Sequence, residues 1–331
     1  MRDTRWPRRA LLRALACLPA AALLPRYAMA GEFPERPIRF IVPFGAGGNV
    51  DGVGRLLGAA MGRRLGQPVV VDNRAGAGGS LGAGLVAQSP ADGYTLLVGS
   101  NGPLTINPFV QSRLAYDPMK DFAPIALAGV VPHVLVSSNG LPARTLAELV
   151  TASLRDPVSC ATSGIGSATH LTLERFNAQT GARIAHVPYR GGNTLVPDLV
   201  AGTVQMAAME LSTALPLHKA GMARILAVAG AERSPLLPEV PTFIESGVAG
   251  FTAQSFVGLL APVSTPVDIR LKLEDAAIAS LATPEMAARL QGLGLAPAGA
   301  AERSARGFAE LLRVDYVRSR EAVRTAGIKA E

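Results

Sequence analysis

The chain has 331 residues, 49% of them hydrophobic, and a formal net charge of +7. Most of that charge belongs to the first 30 residues, which hold six Arg and one Asp, so residues 31–331 carry a net charge of only +2. This balance, and the lack of a Lys/Arg run with interleaved aromatic residues, speaks against a nucleic-acid partner. After residue 30 the only cysteine is Cys160, which excludes an intramolecular disulfide there, and the length is more typical of two domains than of one.

Residues 1–30 have the three parts of a secretory signal peptide. A basic head precedes an apolar run at 14–24, and residues 28–30 (AMA) form a small-residue cleavage pattern. The apolar run is far shorter than the roughly 20 residues that span a bilayer. Sec and twin-arginine export both stay open, because Pro7 stands before Arg8-Arg9 where the twin-arginine pattern usually has Ser or Thr. We expect cleavage of this segment and a periplasmic mature protein.

The first part of the mature chain alternates predicted strands and helices. Apolar runs that end in glycine turns indicate strands buried on both faces, and the segments between them have helical periodicity. The predicted elements are a strand at 38–43, a helix at 51–65, a strand at 69–71, a helix at 80–88 and a strand at 95–98. This order predicts a doubly wound parallel α/β sheet.

A second α/β unit follows a long extended stretch at 122–138. Its predicted helices lie at 146–154, 167–180, 194–201 and 212–220, and its predicted strands at 158–161, 185–187, 204–209 and 225–229. A second extended stretch at 251–261 leads back toward a helical C-terminal part, in which 304–325 has helical spacing.

Two α/β units joined by two extended segments predict an α/β protein of two lobes with a cleft between them. We place lobe 1 at 31–130 plus 254–331 and lobe 2 at 131–253. Ligands in such sheets bind beyond the carboxyl ends of the strands, so the loops at those ends are the candidate site.

Two glycine-rich loops, one in each predicted lobe, follow a strand and open a helix. The first is Phe44-Gly45-Ala46-Gly47-Gly48, and the second is the run SGIGSATH from Ser163 to His170. Glycine lets backbone amides approach a ligand closely, and a helix N-terminus favours negative charge. Both loops suit a carboxylate, although each also fits an ordinary tight turn with a capped helix start.

Two further loops carry polar residues at strand ends. The run VPYRGG offers Tyr189 and Arg190 as possible ligand contacts, but it also fits a plain surface turn. The run DNRAGAGG, which begins at Asp72, follows the second strand. We expect its polar residues to brace the first glycine loop instead of contacting the ligand.

Enzymatic alternatives have weaker sequence support. Gly45 and Gly47 with Asp72 at the next strand end resemble a dinucleotide fingerprint, but Val50 replaces its third glycine. The run GGSLG around Ser80 matches a nucleophile elbow, yet the preceding strand ends well upstream of it. The four histidines have no metal-ligand spacing. We therefore expect no catalytic residue, no metal and no cofactor.

The same loops resemble those of a known family. The segments RPIRFIVPFGAGGNVD, VAQSPADGYTLLVG, GIGSATHLTLERF and HVPYRGG occur here in the order typical of the Bug receptors, the extracytoplasmic solute-binding components of tripartite tricarboxylate transporters. The resemblance implies a two-lobed periplasmic-binding-protein fold (type II, Venus flytrap), a small carboxylate ligand, a two-component inner-membrane permease as partner, and a monomer. The alternatives are a ligand sensor for signalling and an exported NAD(P)-dependent oxidoreductase of Rossmann type.

The resemblance also implies which residues bind the ligand. Carried over by motif, they are Phe44, Gly45, Ala46, Gly47, Gly48, Asn101, Asn107, Ser163, Gly166, Ser167, Ala168, His170, Tyr189 and Arg190. Replacing Gly47 by Val is then expected to abolish binding. Many relatives have an acidic residue at the end of the strand at 204–209, where we align Met209, next to Glu210. That difference favours a simple mono- or dicarboxylate, or an aromatic acid, over a ligand with an ammonium group.

Overall fold

The structure, a computed structural model, describes residues 32–328, and the predicted signal peptide lies outside them. The elements of the first part are β1 (Ile38–Val42), α1 (Asn49–Leu65), β2 (Val69–Asn73), α2 (Ser80–Ala87), β3 (Thr95–Gly99) and α3 (Asn107–Val110). A 3-10 turn at Ala77–Gly79 precedes α2, and a π-helical turn at Gly102–Ile106 precedes α3. Gly66 follows the last residue of α1 and caps the helix in a left-handed conformation (φ 71°) that suits glycine.

The remaining elements follow the predicted order. Those of the middle part are β4 (Phe122–Ser138), α4 (Leu146–Arg155), β5 (Val158–Thr162), α5 (Ala168–Thr180), β6 (Ile184–Pro188), α6 (Val196–Ala201), β7 (Met206–Glu210), α7 (Leu211–Lys219) and β8 (Ala223–Val228). Those of the last part are β9 (Gln254–Pro262), α8 (Val267–Leu281), α9 (Pro284–Gly292), β10 (Ala296–Pro297), α10 (Ala300–Arg303) and α11 (Ala305–Thr325). Every element that the sequence predicts individually is confirmed to within three residues at each end.

One mixed sheet passes through both lobes in the order β2-β1-β3-β9-β4-β7-β5-β6. Strand β1 is parallel to β2 and β3, and β5 is parallel to β6 and β7. In contrast, β9 is antiparallel to both β3 and β4, and β8 is antiparallel to β4. The predicted parallel pairing is confirmed among β2, β1 and β3 and among β6, β5 and β7, and β4 and β9 join these two sets through antiparallel pairing.

The protein is an α/β protein of two lobes, and β4 belongs to both of them. From Phe122 to Pro132 it pairs with β9, and from His133 to Ser138 it pairs with β7 and β8. The two extended segments thus connect the lobes, as the sequence predicts. The exact lobe boundaries, 130/131 and 253/254, stay a proposal that this change of strand partner supports.

Each lobe has a hydrophobic cluster of its own, and a further cluster extends across both lobes. In lobe 2 the rings of Phe243 and Phe251 stack at 4.6 Å, and Phe176 packs edge-on against both. In lobe 1, Phe40 of β1 and Met61 of α1 are both fully buried. Burying one such side chain stabilises the fold by about 1.5–3 kcal/mol. Within residues 32–328 no helix is long and apolar enough to cross a membrane.

Candidate functional site

A small cavity lies between the lobes where the glycine-rich loops meet. It is lined by Phe44, Gly45, Gly48, Asn49, Val50, Ser100, Gly102, Ser163, Ser167, Ala168, Gly192, Glu210 and Ser255. Its volume is about 20 Å³, which is room for little more than one water molecule. Pockets for organic ligands are typically about 300–1,000 Å³. The lobes must therefore separate to admit a ligand of several carbon atoms.

The N-terminus of α1 supplies one wall of this cavity. The amides in the first turn of a helix have no intrahelical partner. Gly48 precedes α1 and has no side chain that could accept from them. The Asn49 side chain is 7% exposed, and neither its Oδ1 nor its Nδ2 has a hydrogen-bond partner. Buried polar groups in proteins are almost always paired. An unpaired amide in the cavity wall therefore marks a place where a ligand can bind.

The N-terminus of α5 supplies the opposite wall. Ser167 caps this helix, because its Oγ accepts a hydrogen bond from the His170 amide (3.2 Å). The Ser163 amide donates to Thr169 Oγ1 (3.0 Å), whereas Ser163 Oγ is buried without a partner. Each helix N-terminus carries a partial positive charge, so two of them facing one cavity favour an anion.

Asp51 holds the first glycine loop in shape. Its Oδ2 accepts hydrogen bonds from the Gly47 amide (2.8 Å) and from Arg55 Nε (2.9 Å). Its Oδ1 accepts from Asn73 Nδ2 (2.9 Å), which also donates to the carbonyl of Phe44 (3.1 Å). The expected bracing role of the DNRAGAGG loop is confirmed for Asn73. Burial alone would raise the pKa of Asp51, but these hydrogen bonds outweigh it and hold the pKa below its ordinary value.

This arrangement predicts an acid-sensitive contribution to stability. The folded pKa of Asp51 lies below the unfolded one, so its contribution is complete above the ordinary carboxyl pKa and is lost as pH falls through the folded pKa. We expect Asp51→Asn to lower the free energy of unfolding by about 1–3 kcal/mol at pH 7. The difference from wild type should shrink toward pH 3 in urea unfolding. Glu285→Gln, at an exposed ion pair with Arg289, is the matched control. An equal loss at both pH values would contradict the role of the charge.

Of the predicted ligand residues, the cavity brings together six: Phe44, Gly45, Gly48, Ser163, Ser167 and Ala168. Ala46 and Gly47 are exposed at the outer side of the loop. The Gly47 amide is already taken by Asp51, and the Ala46 carbonyl faces Asn193 Nδ2 at 3.5 Å. The first loop therefore faces the cavity with its two ends and not with its middle.

Asn101 and Asn107 lie outside the cavity lining and brace lobe 1. Asn101 Nδ2 donates to Asp315 Oδ2 (2.9 Å), and its Oδ1 accepts from the Phe256 amide (2.9 Å). Asn107 Nδ2 donates to Ser80 Oγ (2.6 Å). These bonds tie the π-helical turn and α3 to α11, β9 and α2.

Gly166 and His170 are likewise placed behind the cavity wall. The Gly166 amide donates to His170 Nδ1 (3.2 Å), and the His170 ring stacks on that of His186 at 4.0 Å. Burial lowers the pKa of His170 to about 4, so this ring is neutral at pH 7. His170 therefore supports the α5 N-terminus from within lobe 2.

Tyr189 and Arg190 line an outer depression of about 470 Å³ next to the cavity. The depression shares Phe44 and Ser163 with the cavity, which makes it the mouth of the site. The Tyr189 hydroxyl donates to Asp198, while Arg190 is exposed. Neither side chain lines the cavity itself.

The main correction concerns the acidic residue of β7. Met209 is fully buried in the core, whereas Glu210 lines the cavity, because neighbouring residues of a strand point to opposite faces. The expectation that the cavity lacks an acid is therefore wrong. Sequence reasoning also missed Asn49, Val50, Ser100, Gly102, Gly192 and Ser255 as lining residues. Only Asn49 and Gly192 have a visible signal, since Asn49 follows the first glycine loop and Gly192 is the last residue of the VPYRGG run.

The enzymatic alternatives gain no support from the geometry. Ser80 Oγ accepts a hydrogen bond from Asn107 Nδ2 and lies 3.3 Å from the Tyr116 hydroxyl oxygen, so it is part of the lobe 1 bracing. Asp72 pairs with Arg74 at the strand end. In the described part of the chain, no cluster of three or more His, Cys, Asp or Glu side chains could hold a metal ion.

Comparisons with known proteins agree on one family. A model described as "Tripartite tricarboxylate transporter family receptor" matches residues 53–323. Protein BugT of Bordetella pertussis is 35% identical over 301 residues, 90% of this chain and 92% of BugT. The solved structure of R. palustris Rpa4515 with adipate has a TM-score of 0.87 at 34% identity and covers 91% of this chain and 100% of its own. MatC from Rhodopseudomonas palustris with bound malate has a TM-score of 0.85 at 33% identity, with coverages of 88% and 100%.

Proposed function

Since this chain belongs to the tripartite tricarboxylate transporter receptor family, we propose that it captures a small carboxylate-bearing solute in the periplasm for a transporter of that type. The observation that carries the proposal is the meeting of the α1 and α5 N-termini at one cavity, beside the unpaired polar groups of Asn49 and Ser163. The adipate and malate bound by the two similar structures support a dicarboxylate as the ligand class.

Capture works by closure of the lobes. In the closed arrangement the Gly45 amide donates to the Arg190 carbonyl (3.3 Å), which joins the first glycine loop of lobe 1 to the VPYRGG run of lobe 2. This contact is weak by itself. A ligand that touches both helix N-termini adds contacts that exist only when the lobes are together, so it shifts the population toward the closed form.

The mouth of the site favours the approach of an anion. Arg113 and Arg190 line the outer depression from opposite lobes, and both are exposed. Basic side chains at the entrance of a cleft raise the local concentration of anionic ligands. Carboxylates thus meet a positive entrance first and the two helix N-termini next.

We extend the proposal to export and delivery. Residues 1–30 are a cleaved signal peptide, and the mature protein is a monomer without catalytic activity that docks on a two-component inner-membrane permease. The intact mass of the protein from the periplasm tests the cleavage, with Gly31 as the expected first residue. A mass that retains residues 1–30 would contradict it.

The decisive test of the function is a ligand screen by thermal unfolding of the mature protein. Adipate, L-malate, amino acids and NAD⁺ are the probes. A carboxylate at about 100 times its dissociation constant should add about 2.7 kcal/mol to the free energy of unfolding. Stabilisation by carboxylates alone is the expected result. Stabilisation by NAD⁺ and by no carboxylate would overturn the receptor proposal.

A further inference from the structure

A continuous chain of hydrogen bonds runs from the cavity into the junction of the lobes. Glu210 Oε1 lies 3.3 Å from Ser255 Oγ, which lies 2.8 Å from His133 Nε2. On the other side of the ring, His133 Nδ1 lies 2.6 Å from Thr172 Oγ1, which lies 3.0 Å from the Ala168 carbonyl oxygen. Ser255, His133 and Thr172 are almost completely buried, whereas Glu210 at the cavity end is partly exposed.

Starting from the far end, one assignment of the hydrogens satisfies every contact in this chain. A carbonyl oxygen can only accept, so the single hydroxyl hydrogen of Thr172 goes to Ala168. Thr172 Oγ1 must then accept from His133 Nδ1–H. In a neutral imidazole the other nitrogen is an acceptor, so His133 Nε2 receives the hydrogen of the Ser255 hydroxyl. Ser255 Oγ has no hydrogen left for Glu210.

The state of His133 is set by its surroundings. Burial, with the positive charge of Arg175 nearby, lowers the pKa of His133 to about 3. The ring is therefore neutral at pH 7, and its protonated nitrogen is Nδ1. An ionised Glu210 would leave two lone pairs facing each other between Glu210 Oε1 and Ser255 Oγ, whereas a protonated Glu210 supplies the missing hydrogen.

The geometry points to Glu210 as a neutral carboxylic acid in the ligand cavity, which selects an anionic ligand without an ammonium group at that position. This inference rests on the proposed carboxylate function. The inferred ligand again lacks an ammonium group, as expected from the sequence. The reason is that the cavity acid is neutral, and not that the acid is absent. Burial also raises the pKa of Glu210, against a smaller opposite effect of its hydrogen bonds.

The neutral acid changes what the cavity accepts. A methyl group added at Gly192 would lie 3.3 Å from Glu210 Oε2 and 3.4 Å from Ser163 Oγ, so these two oxygens border the same space. With its proton directed to Ser255, Glu210 presents Oε2 as an uncharged acceptor. It does not repel a ligand carboxylate, and it can accept from a ligand hydroxyl, whereas an ammonium would need an ionised partner.

Other titratable groups surround Glu210, and none of them supplies a second hydrogen to this chain. In the described residues, those on the elements around it are His133 on β4, Cys160 on β5, His170, Glu174 and Arg175 on α5, His218 and Lys219 on α7, Asp51 and Arg55 on α1, and Arg190 after β6. His170 is engaged by the Gly166 amide, and Asp51 by Arg55. His133 is the titratable group joined to Glu210 through Ser255.

The first test needs no ligand and uses the mature protein at pH 7. Nitrogen-15 NMR of the histidines should find His133 neutral with its hydrogen on Nδ1. The infrared difference between wild type and Glu210→Gln should contain the carbonyl band of a protonated carboxyl. A hydrogen on Nε2, or the carboxylate bands alone, would overturn the proposal, because either result makes Glu210 an ionised acceptor.

The second test measures dissociation constants for adipate and for L-2-aminoadipate by calorimetry. Glu210→Gln removes no charge when Glu210 is a neutral acid, so we do not expect the tenfold tighter adipate binding that loss of an ionised carboxylate would cause. Ser255→Ala removes the acceptor of the Glu210 proton, so adipate affinity should fall by about tenfold or more as pH rises and the acid ionises. In the Glu210→Gln background the same Ser255→Ala change should have no pH-dependent effect.

Three outcomes of this second test would overturn the assignment. They are tenfold tighter adipate binding by Glu210→Gln, a preference of wild type for L-2-aminoadipate, and a Ser255→Ala effect of equal size in both backgrounds. The last outcome is the one expected if Ser255 has only a structural role. If no carboxylate binds wild type at all, the proposed function fails, and the spectroscopic test still decides the state of Glu210.

Discussion

Gly192→Val should reduce the affinity for every carboxylate ligand by at least about 100-fold. The new side chain would enter a cavity of about 20 Å³ between Glu210 Oε2 and Ser163 Oγ, where even Cβ would lie at 3.3 and 3.4 Å. Forcing such a group into occupied space costs a few kcal/mol, and about 2.8 kcal/mol corresponds to 100-fold. Gly192 has no positive φ, so the backbone accepts Val without strain. Calorimetry against adipate and L-malate measures the loss.

The fold should survive this change. The added side chain borders a cleft whose lobes can separate, so we expect the free energy of unfolding to change by less than about 1 kcal/mol. Gly292→Val is the matched control, since Gly292 has open space around its Cβ position and no positive φ. Gly47→Val is a poorer probe than the sequence suggests. Its φ is 79°, and the new Cβ would lie 2.6 Å from Asn193 Nδ2. Unchanged adipate affinity in Gly192→Val would show that this cavity is not part of the binding site.

Asn49→Leu should weaken ligand binding and leave stability unchanged or higher. Neither polar atom of the Asn49 side chain has a partner in the protein, so its removal breaks no hydrogen bond in the fold. Leu is also a good helix former at the first turn of α1. A ligand carboxylate, however, loses a hydrogen bond that is worth about 1.5–3 kcal/mol when one partner is charged, or about 10- to 100-fold in affinity.

The control for this prediction is Asn177→Leu, which should have the opposite effect. Asn177 Nδ2 donates to the Ile184 carbonyl (3.0 Å) inside lobe 2, so the substitution breaks this hydrogen bond and costs about 0.5–1.5 kcal/mol of stability. Ligand affinity should not change, because Asn177 does not line the cavity. Thermal unfolding and calorimetry on both variants separate the two roles. A stability loss in Asn49→Leu without an affinity loss would show that Asn49 is structural.

The sequence by itself determines the order of the elements and the places where the binding loops occur. Hydrophobic periodicity is a local property, so β1 with its glycine loop and α5 with its Ser-rich start are visible without any tertiary contact. The same holds for the two extended segments that became β4 and β9. The family motifs, which occur along the chain in a fixed order, also predict the two-lobed fold.

Only the tertiary structure decides which side chains of these loops face the cavity. Asn49 and Asn107 are equivalent by residue type, yet neither polar atom of Asn49 has a partner, whereas Asn107 Nδ2 is bonded to Ser80. Glu210, Ser255 and His133 are brought together over sequence separations of 45 and 122 residues. The physical reason is that strand pairing sets these contacts, and a shift of one residue exchanges the two faces of a strand. The identity of the cavity acid, Glu210 and not Met209, therefore depends on the register of β7 against β4.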